Sequence, residues 1–335
     1  MNKPVGNEND IAVTTRIRLA RNVKGLPYPK RMGEAAAEKL IDDVWAAFDN
    51  SPLKSELKIY DMNKISDLEK KALVEKHLRS AELCVSKVPS VAIISKDEKI
   101  SIMVNEEDHI RIQVFEQGLE AESAYDMAKK IETLLSEKLR FDYDSEFGYL
   151  TSCPTNAGTG LRASVMLHLP AISAAHRINP LLKWAANLGM TVRGLYGEGS
   201  KASGALFQLS NQITLGTSEK DIISRFTAAS CSLVSEERRI CAELFENNYC
   251  ELTDKSLRSL GIIKNAYMIS SSEALSLVSN ICMGANAGII KNIDTPKLRS
   301  ALFSSMPALM SLTMDDKGDK ARDIKRAQIL QEALK

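Results

Sequence analysis

The sequence predicts an α+β protein in which strands and helices share the first two thirds of the chain and helices alone make up the rest. Three observations carry this. Strand-like runs at Ser90–Ile94, Ile100–Asn105 and His109–Phe115 follow one another closely, and Lys96-Asp-Glu-Lys99 between the first two has the composition of a hairpin turn. Helical periodicity recurs on both sides of these runs. From Ser218 onward strand signals disappear, and helical patterns run through 218–245, 254–265, 271–284, 295–304 and 319–333. A boundary is expected near Asn247–Thr253, dividing the chain into 1–247 and a helical region at 254–335.

With 335 residues the chain can bury a large core. Its 44% apolar and 26% charged residues are ordinary for a globular protein, and a net charge of +1 argues against a general nucleic-acid binder. No apolar run approaches the ~20 residues of a membrane helix, and the first residues lack a signal-peptide core. The six cysteines (84, 153, 231, 241, 250 and 282) include no C-x-x-C pair, so reduced thiols and a cytoplasmic location are expected. Neither a P-loop nor a G-x-G-x-x-G opening a βαβ unit is present.

In chain order, residues 11–22 read as a strand running into a turn, with Arg16 and Arg18 on one face because side chains alternate. Two guanidiniums side by side need a shared anion or solvent. Amphipathic helices are expected at 34–49 and 66–80. After the second strand-like run comes Asn105-Glu106-Glu107-Asp108-His109, then Arg111. Three adjacent carboxylates call for opposing cations or a metal ion, unless this is a polar hairpin tip. A long helix is expected at 119–140.

The most informative stretch runs from Gly148 to Val165, through Cys153-Pro-Thr-Asn156-Ala-Gly158-Thr-Gly160-Leu-Arg162. Its glycines suit either an ordinary turn or a nest of backbone N–H groups that binds an anion, with Arg162 adding a fork of donors. Cys153 beside arginines favours the second reading. Residues 161–173 read as an apolar helix and 176–188 as another, stopped by Gly189. Met190–Gly194 then reads as a strand opening into a loop with Glu198, its partner strand being 205–214. In the tail, Arg322 and Arg326 share a helix face with Asp323 beside them, a pattern that usually marks a solvated, salt-bridged surface.

Arg16, Arg18, Arg111, Arg162 and Arg193 each stand at a strand end or glycine turn, and Glu107 and Glu198 each stand at a strand-to-loop step. Converging guanidinium forks suit a triphosphate, and paired carboxylates suit a planar guanidinium. The pattern suggests phosphoryl transfer from a nucleotide to a guanidino nitrogen.

These motifs, Thr15-Arg16-Ile-Arg18-Leu-Ala-Arg21-Asn22, Asn105 to Arg111, Leu150 to Ser164 and Arg193 to Ser200, resemble the ATP:guanido phosphotransferases. With Arg322-Asp-Ile-Lys-Arg-Ala327 added, the resemblance narrows to the bacterial protein-arginine kinase branch. It implies a mainly antiparallel sheet flanked by helices, followed by a small all-helical C-terminal domain for phosphoarginine binding and dimerisation. It assigns Arg16, Arg18, Arg111, Arg162 and Arg193 to the phosphates of ATP. Glu107 and Glu198 would hold the guanidinium, with Glu107 as base and Cys153 nearby. Arg322, Asp323 and Arg326 would bind phosphoarginine. Mg²⁺ would be held by phosphates and water, with no protein metal ligands. Expected partners are arginine-bearing proteins, an activator, Clp-type protease machinery and a second copy of the chain, with no direct nucleic acid and no membrane.

Small-molecule members of the family place a helical domain ahead of the first arginine motif, which here begins at Arg16. They also carry an arginine where Tyr196 stands and a histidine where Met166 stands. The residues at Tyr196 and Met166 suggest a more open site and a different nucleotide contact, and the missing domain with the added helical tail favours arginine within proteins over free arginine. A phosphagen kinase, or a silent phosphoarginine-binding adaptor, is the alternative.

Overall fold

The computed structural model describes residues 8–80, 83, 88–195, 203–316 and 318–335. The first part of the chain gives β1 (Ala12–Arg21), α1 (Glu34–Ala46), β2 (Leu57–Asp61), α2 (Asp67–Glu75), β3 (Val91–Ser95), β4 (Ile100–Val104), β5 (Ile110–Gln117) and α3 (Ala121–Ser136). A short hairpin, β6 (Tyr143–Asp144) and β7 (Gly148–Tyr149), precedes β8 (Leu161–His168), α4 (Pro170–Ala174), α5 (Ile178–Asn187), β9 (Met190–Gly194) and β10 (Leu206–Asn211). Helices follow: α6 (Glu219–Asn247), α7 (Tyr249–Asn265), α8 (Ser271–Asn286), α9 (Thr295–Ser304), α10 (Pro307–Thr313) and α11 (Asp319–Ala333).

The strands form an antiparallel sheet of eight, in the order β2-β3-β4-β5-β1-β8-β10-β9. Period-two alternation gives its two faces opposite characters. One presents Ile17, Leu19, Ile112, Val114, Ala163, Val165 and Leu209 to α1, α3, α5 and α6, which build the main core with Leu40, Ile131, Ala185 and Phe226. The other carries polar residues along its middle and is covered only towards its ends. There α2 encloses Met62, Leu73, Ile94 and Met103 on one side. On the opposite side α8, α9 and α11 pack Ile281, Leu298, Leu302 and Leu330 against Met166 and Leu206 of the sheet. The result is a trough with a polar floor.

The antiparallel sheet, the hairpin joining β3 and β4 and the helical end of the chain agree with the sequence. Residues 161–173 do not. They form β8 and then α4, because β8 lies mid-sheet and satisfies its backbone against β1 and β10 on both sides. The expected helix at 66–80 starts with a capping box at Ser66 and stops at Glu75, after which His77 takes a left-handed φ of 58°. Strand β2 and helix α10 carry weak sequence signals and were not expected. Chain direction changes at Asn248, between α6 and α7.

Candidate active site

The floor of the trough holds the predicted arginines together. In the register of the sheet Arg18 faces Gln113 on one side and Arg162 on the other, Arg16 faces Ser164, Arg111 faces Ala20, and Arg193 faces Gln208. Directly opposed residues share a face, so all five side chains leave the same side of four strands. Arg162 Nη2 donates to Ser210 Oγ at 3.0 Å and Arg16 Nε to Ser164 Oγ at 3.4 Å. No carboxylate among the described residues pairs with Arg16, Arg18, Arg162 or Arg193. Burial, then Arg162 and Arg111, lowers the Arg16 pKa to about 10. Burial and the same neighbours, with Arg16, push Arg18 down, opposed by Glu106. Arg162 is lowered by burial, Arg193 and Arg111, and Cys153 opposes that shift. The floor therefore has an excess of cations suited to a polyanion.

At one end lies the acidic loop. Asn105 turns it with a φ of 62°, and its side-chain amide donates to the Ala37 and Pro89 carbonyls. Glu106 is buried, accepts from Arg111 Nη1 at 2.7 Å and from Ser80 Oγ, and also takes the Glu107 N–H at 3.1 Å. Glu107 is 35% exposed and receives Arg111 Nη2 on Oε2 at 2.9 Å. Its Oε1 has no partner among the described residues. Asp108 is held by amides instead of a cation: Oδ1 accepts from Asn22 Nδ2 and the Ser152 N–H, both at 2.7 Å. His109 Nδ1 accepts the Val23 N–H, so its proton resides on Nε2, which donates to the Pro27 carbonyl at 2.9 Å. Burial lowers its pKa. The opposing cation expected for this loop is thus Arg111. Among the described residues no group of three or more His, Cys, Asp or Glu is placed to hold a metal ion.

Ser152 joins this loop to the glycine stretch, since its Oγ donates to the Glu107 carbonyl at 2.6 Å. That bond ties the residue before half-buried Cys153 to the Glu107 backbone, and Cys153 Sγ lies 3.0 Å from Thr155 Oγ1. The stretch itself is a brace and not the anion nest that was expected. The N–H groups of Tyr149, Asn156, Ala157, Gly158 and Thr159 all donate to protein carbonyls. Gly158 has a φ of 103° and lies so close to Thr214 that a Cβ would meet the Thr214 carbonyl oxygen at 2.3 Å.

Three residues the sequence reading passed over matter here. Glu106, not Glu107, is the glutamate turned inward onto Arg111, alongside buried Asp108. Arg21 has the opposite parity to Arg16 and Arg18 and leaves the other face. There it bonds Glu132 at 2.5 Å and Glu219 at 3.1 Å, and donates to the Thr159 carbonyl at 2.9 Å. His77 borders the floor beside Arg16, and burial followed by Arg16 lowers its pKa to about 4, so it is neutral at physiological pH. Next to it a cavity of about 310 Å³, sharing Arg16 and His77 with the space over Arg18 and Arg111, runs across Met166 and Gln208 to α9.

Glu198 lies outside the described residues. In the tail, Arg326 is buried, with Nε donating to the Ser305 carbonyl at 3.1 Å, Nη1 to the Ile269 carbonyl at 2.8 Å, and an ion pair to Asp323. Arg322 sits nearer the surface, bonding Ser311 Oγ at 3.0 Å and pairing with Asp319. The Arg326–Asp323 pair is consequently an internal tie, more buried than the solvated face the sequence pattern usually marks.

Residues 39–240 match the ATP:guanido phosphotransferase C-terminal catalytic domain, and residues 249–335 the protein-arginine kinase McsB C-terminal domain. The protein-arginine kinase of Clostridium acetobutylicum is 42% identical over 333 residues, covering 98% of this chain and 97% of the relative. That of Caldanaerobacter subterraneus subsp. tengcongensis is 41% identical over 330 residues, covering 98% of each. Among solved structures, lombricine kinase superposes with a TM-score of 0.61 at 22% identity, over 69% of this chain and 67% of its own. The duplicated taurocyamine kinase of Schistosoma mansoni, with bound transition-state analogue components, gives 0.60 at 23% identity, over 71% of this chain and 34% of its own. These two likenesses bear on the fold, and the sequence relatives on the branch. The chain belongs to the ATP:guanido phosphotransferase family and, within it, to the protein-arginine kinases.

Proposed function

We propose that the chain transfers the γ-phosphoryl group of ATP to a guanidino nitrogen of arginine residues in proteins. The observation that carries this is the single face on which Arg16, Arg18, Arg111, Arg162 and Arg193 stand, with Glu107 and Cys153 at its end. Triphosphate lies along the arginines, and the base enters the cavity beside His77 and Met166. Mg²⁺, carried in on the phosphates, would supply further charge neutralisation.

A guanidinium is protonated and a weak nucleophile, with a pKa above ~12. Arg111 fixes one Glu107 oxygen, which leaves Oε1 to face the substrate guanidinium, set its plane and take one N–H proton. As that proton leaves, the nitrogen lone pair forms the N–P bond, the bond from the γ-phosphorus to the β,γ-bridging oxygen breaks, and ADP departs. Positioning and charge stabilisation by the arginine floor supply most of the acceleration. Glu198 would complete the guanidinium clamp, and Cys153 would lie against the substrate as an electrostatic partner.

Of the three tail residues expected to bind phosphoarginine, Arg322 and Asp323 would form a separate pocket, Asp323 reading the guanidinium and Arg322 the phosphate, while buried Arg326 would hold Asp323 in place. The family resemblance further supports a cytoplasmic homodimer that works in protein quality control with an activator and a Clp-type protease.

The test is incubation with ATP and either unfolded protein or free arginine, with phosphoarginine read by mass spectrometry under non-acidic conditions because N–P bonds are acid-labile. Phosphorylated protein is expected. Exclusive phosphorylation of free arginine would make the chain a phosphagen kinase, and no transfer at all would leave an adaptor. Glu107→Gln should bind ATP and lose about 10²–10⁴-fold in transfer rate. A loss of only a few-fold would remove Glu107 from the role of base.

A further inference from the structure

The cavity beside the arginine floor is closed on its far side by α9, which belongs to the helical C-terminal segment. Its floor is sheet, with Ser164, Met166 and Gln208, and its near wall is the turn carrying His77. Arg299, Ser300 and Phe303 of α9 stand opposite. We propose that α9 completes the nucleotide pocket, with Arg299 and Ser300 positioning the base-and-ribose end of ATP and Phe303 packing against the base. This rests on the reading of the arginine floor as an ATP phosphate site.

Arg299 is the first ground. It is only 4% exposed, yet its Nη1 and Nη2 donate to the backbone carbonyls of Asp10 and Asn9, and its Nε is buried with no hydrogen-bond partner among the described residues. Among those residues it forms no ion pair. Its other polar neighbour is the Cys282 thiol, so no carboxylate among the described residues balances this guanidinium, and burying an uncompensated charge is costly. Placed on the wall of a cavity that opens to Arg16, it suits a ligand bringing acceptors and negative charge.

Registration is the second. The Glu75 carboxylate at the end of α2 accepts the Ala308 N–H at 2.9 Å and the Leu309 N–H at 3.0 Å, fastening the wall that carries His77 to α10. Arg299 itself fastens the residues leading into β1. Both sides of the cavity are therefore fixed to the same helical segment that supplies its third wall. The third ground is chemistry: a space of about 310 Å³ is at the lower end of small-molecule sites. Flanked by Phe115, Met166 and Phe303 and edged by Gln208 and Ser300, it suits a flat heterocycle with a polar rim.

The experiment uses the full chain, titrated calorimetrically with ADP and with inorganic tripolyphosphate, which has charge but neither base nor ribose. Ser300 is exposed and lies at the cavity mouth, so Ser300→Trp fills the pocket without disturbing the core. It should weaken ADP binding by at least about tenfold, raise the KM for ATP correspondingly with little change in kcat, and leave tripolyphosphate binding unchanged. Arg299→Met should likewise weaken ADP. Ser304→Trp, on an exposed position of α9 outside the cavity, should bind ADP as the parent does. Parental ADP affinity in Ser300→Trp would overturn the proposal while leaving the ATP reading intact. Failure of the parent to bind either ligand would overturn both.

Discussion

Arg21 offers the sharpest test of how the site is held. Its guanidinium is fully buried, bonds Glu132 at 2.5 Å, Glu219 at 3.1 Å and the Ala20 and Thr159 carbonyls at 2.7 and 2.9 Å, and lies 3.5 Å above the Tyr149 ring. Arg21→Met keeps bulk but strips the charge, leaving Glu132, only 5% exposed, without its main partner. Removing one member of a buried pair costs about 3–5 kcal/mol. Lys129 also reaches Glu132, and Glu219 at 3.1 Å, so part of the charge remains compensated. That places the expectation at the low end, about 3 kcal/mol. At about 2 °C per kcal/mol for a large domain, the melting temperature should fall by roughly 6 °C. Urea and thermal denaturation followed by circular dichroism measure it. Arg21→Met/Glu132→Met should regain part of the loss, since the stranded carboxylate is gone. Well below the melting temperature kcat/KM should still drop, because the Thr159 carbonyl loses the donor that tightens residues 148–160. A single variant within ~1 kcal/mol of the parent, or a double variant no better than the single, would refute the account.

Arg162→Ala should weaken ATP binding by about 10–100-fold, the worth of a charged hydrogen bond, and slow transfer as well; calorimetry and steady-state kinetics would show parental values if the residue only decorates the surface. His168 is buried with Nε2 2.8 Å from Ser279 Oγ and Nδ1 without a partner among the described residues, and burial followed by Arg299 lowers its pKa from 6.5 to about 3. The unfolded chain takes up a proton there near 6.5 while the folded chain does not, so stability falls as pH drops from about 6.5 towards about 3. His168→Gln should flatten that fall in urea titrations at successive pH values, and an unchanged slope would dismiss it. In the tail, Arg326→Met should destabilise the C-terminal helices because the Ser305 and Ile269 carbonyls lose their donor. Arg322→Ala should keep the fold and lose phosphoarginine binding, and unaltered calorimetry with phosphoarginine would count against the pocket.

Much of the floor was legible because strand alternation is a strict rule: Arg16 and Arg18 had to share a face. The same rule placed Arg21 on the other face, a signal present in the sequence but unused. Leu161–His168 was misread because leucine, arginine, alanine and methionine favour helices. Yet Leu161, Ala163, Val165 and Leu167 alternate with Arg162, Ser164 and His168, as a central strand requires. That Glu106 and Asp108 turn inward while Glu107 stays partly exposed depends on Arg111 and Ser80 for the first and on Asn22 and Ser152 for the second, contacts that no local pattern encodes. Likewise, nothing in the glycine spacing separates a nest from a brace. The difference lies in Thr214, more than fifty residues away, whose carbonyl accepts the Thr159 N–H. The role of His77 depends on where α2 stops, and that is governed by α10, an element the sequence barely announces.

The crowded cations of the sheet floor have a consequence beyond turnover. Without a polyanion they repel one another, and among the described residues only Arg111 has carboxylate partners, so mobile ions from solution help to balance Arg16, Arg18, Arg162 and Arg193. On the proposed placement of ATP along this floor, nucleotide displaces those ions, so its affinity should weaken as ionic strength rises. Its arrival also relieves the repulsion, which makes ATP a structural counterion as well as a reactant. On that placement a shortage of ATP should leave this protein in a softer form, so that energy depletion would reach its rigidity as well as its rate.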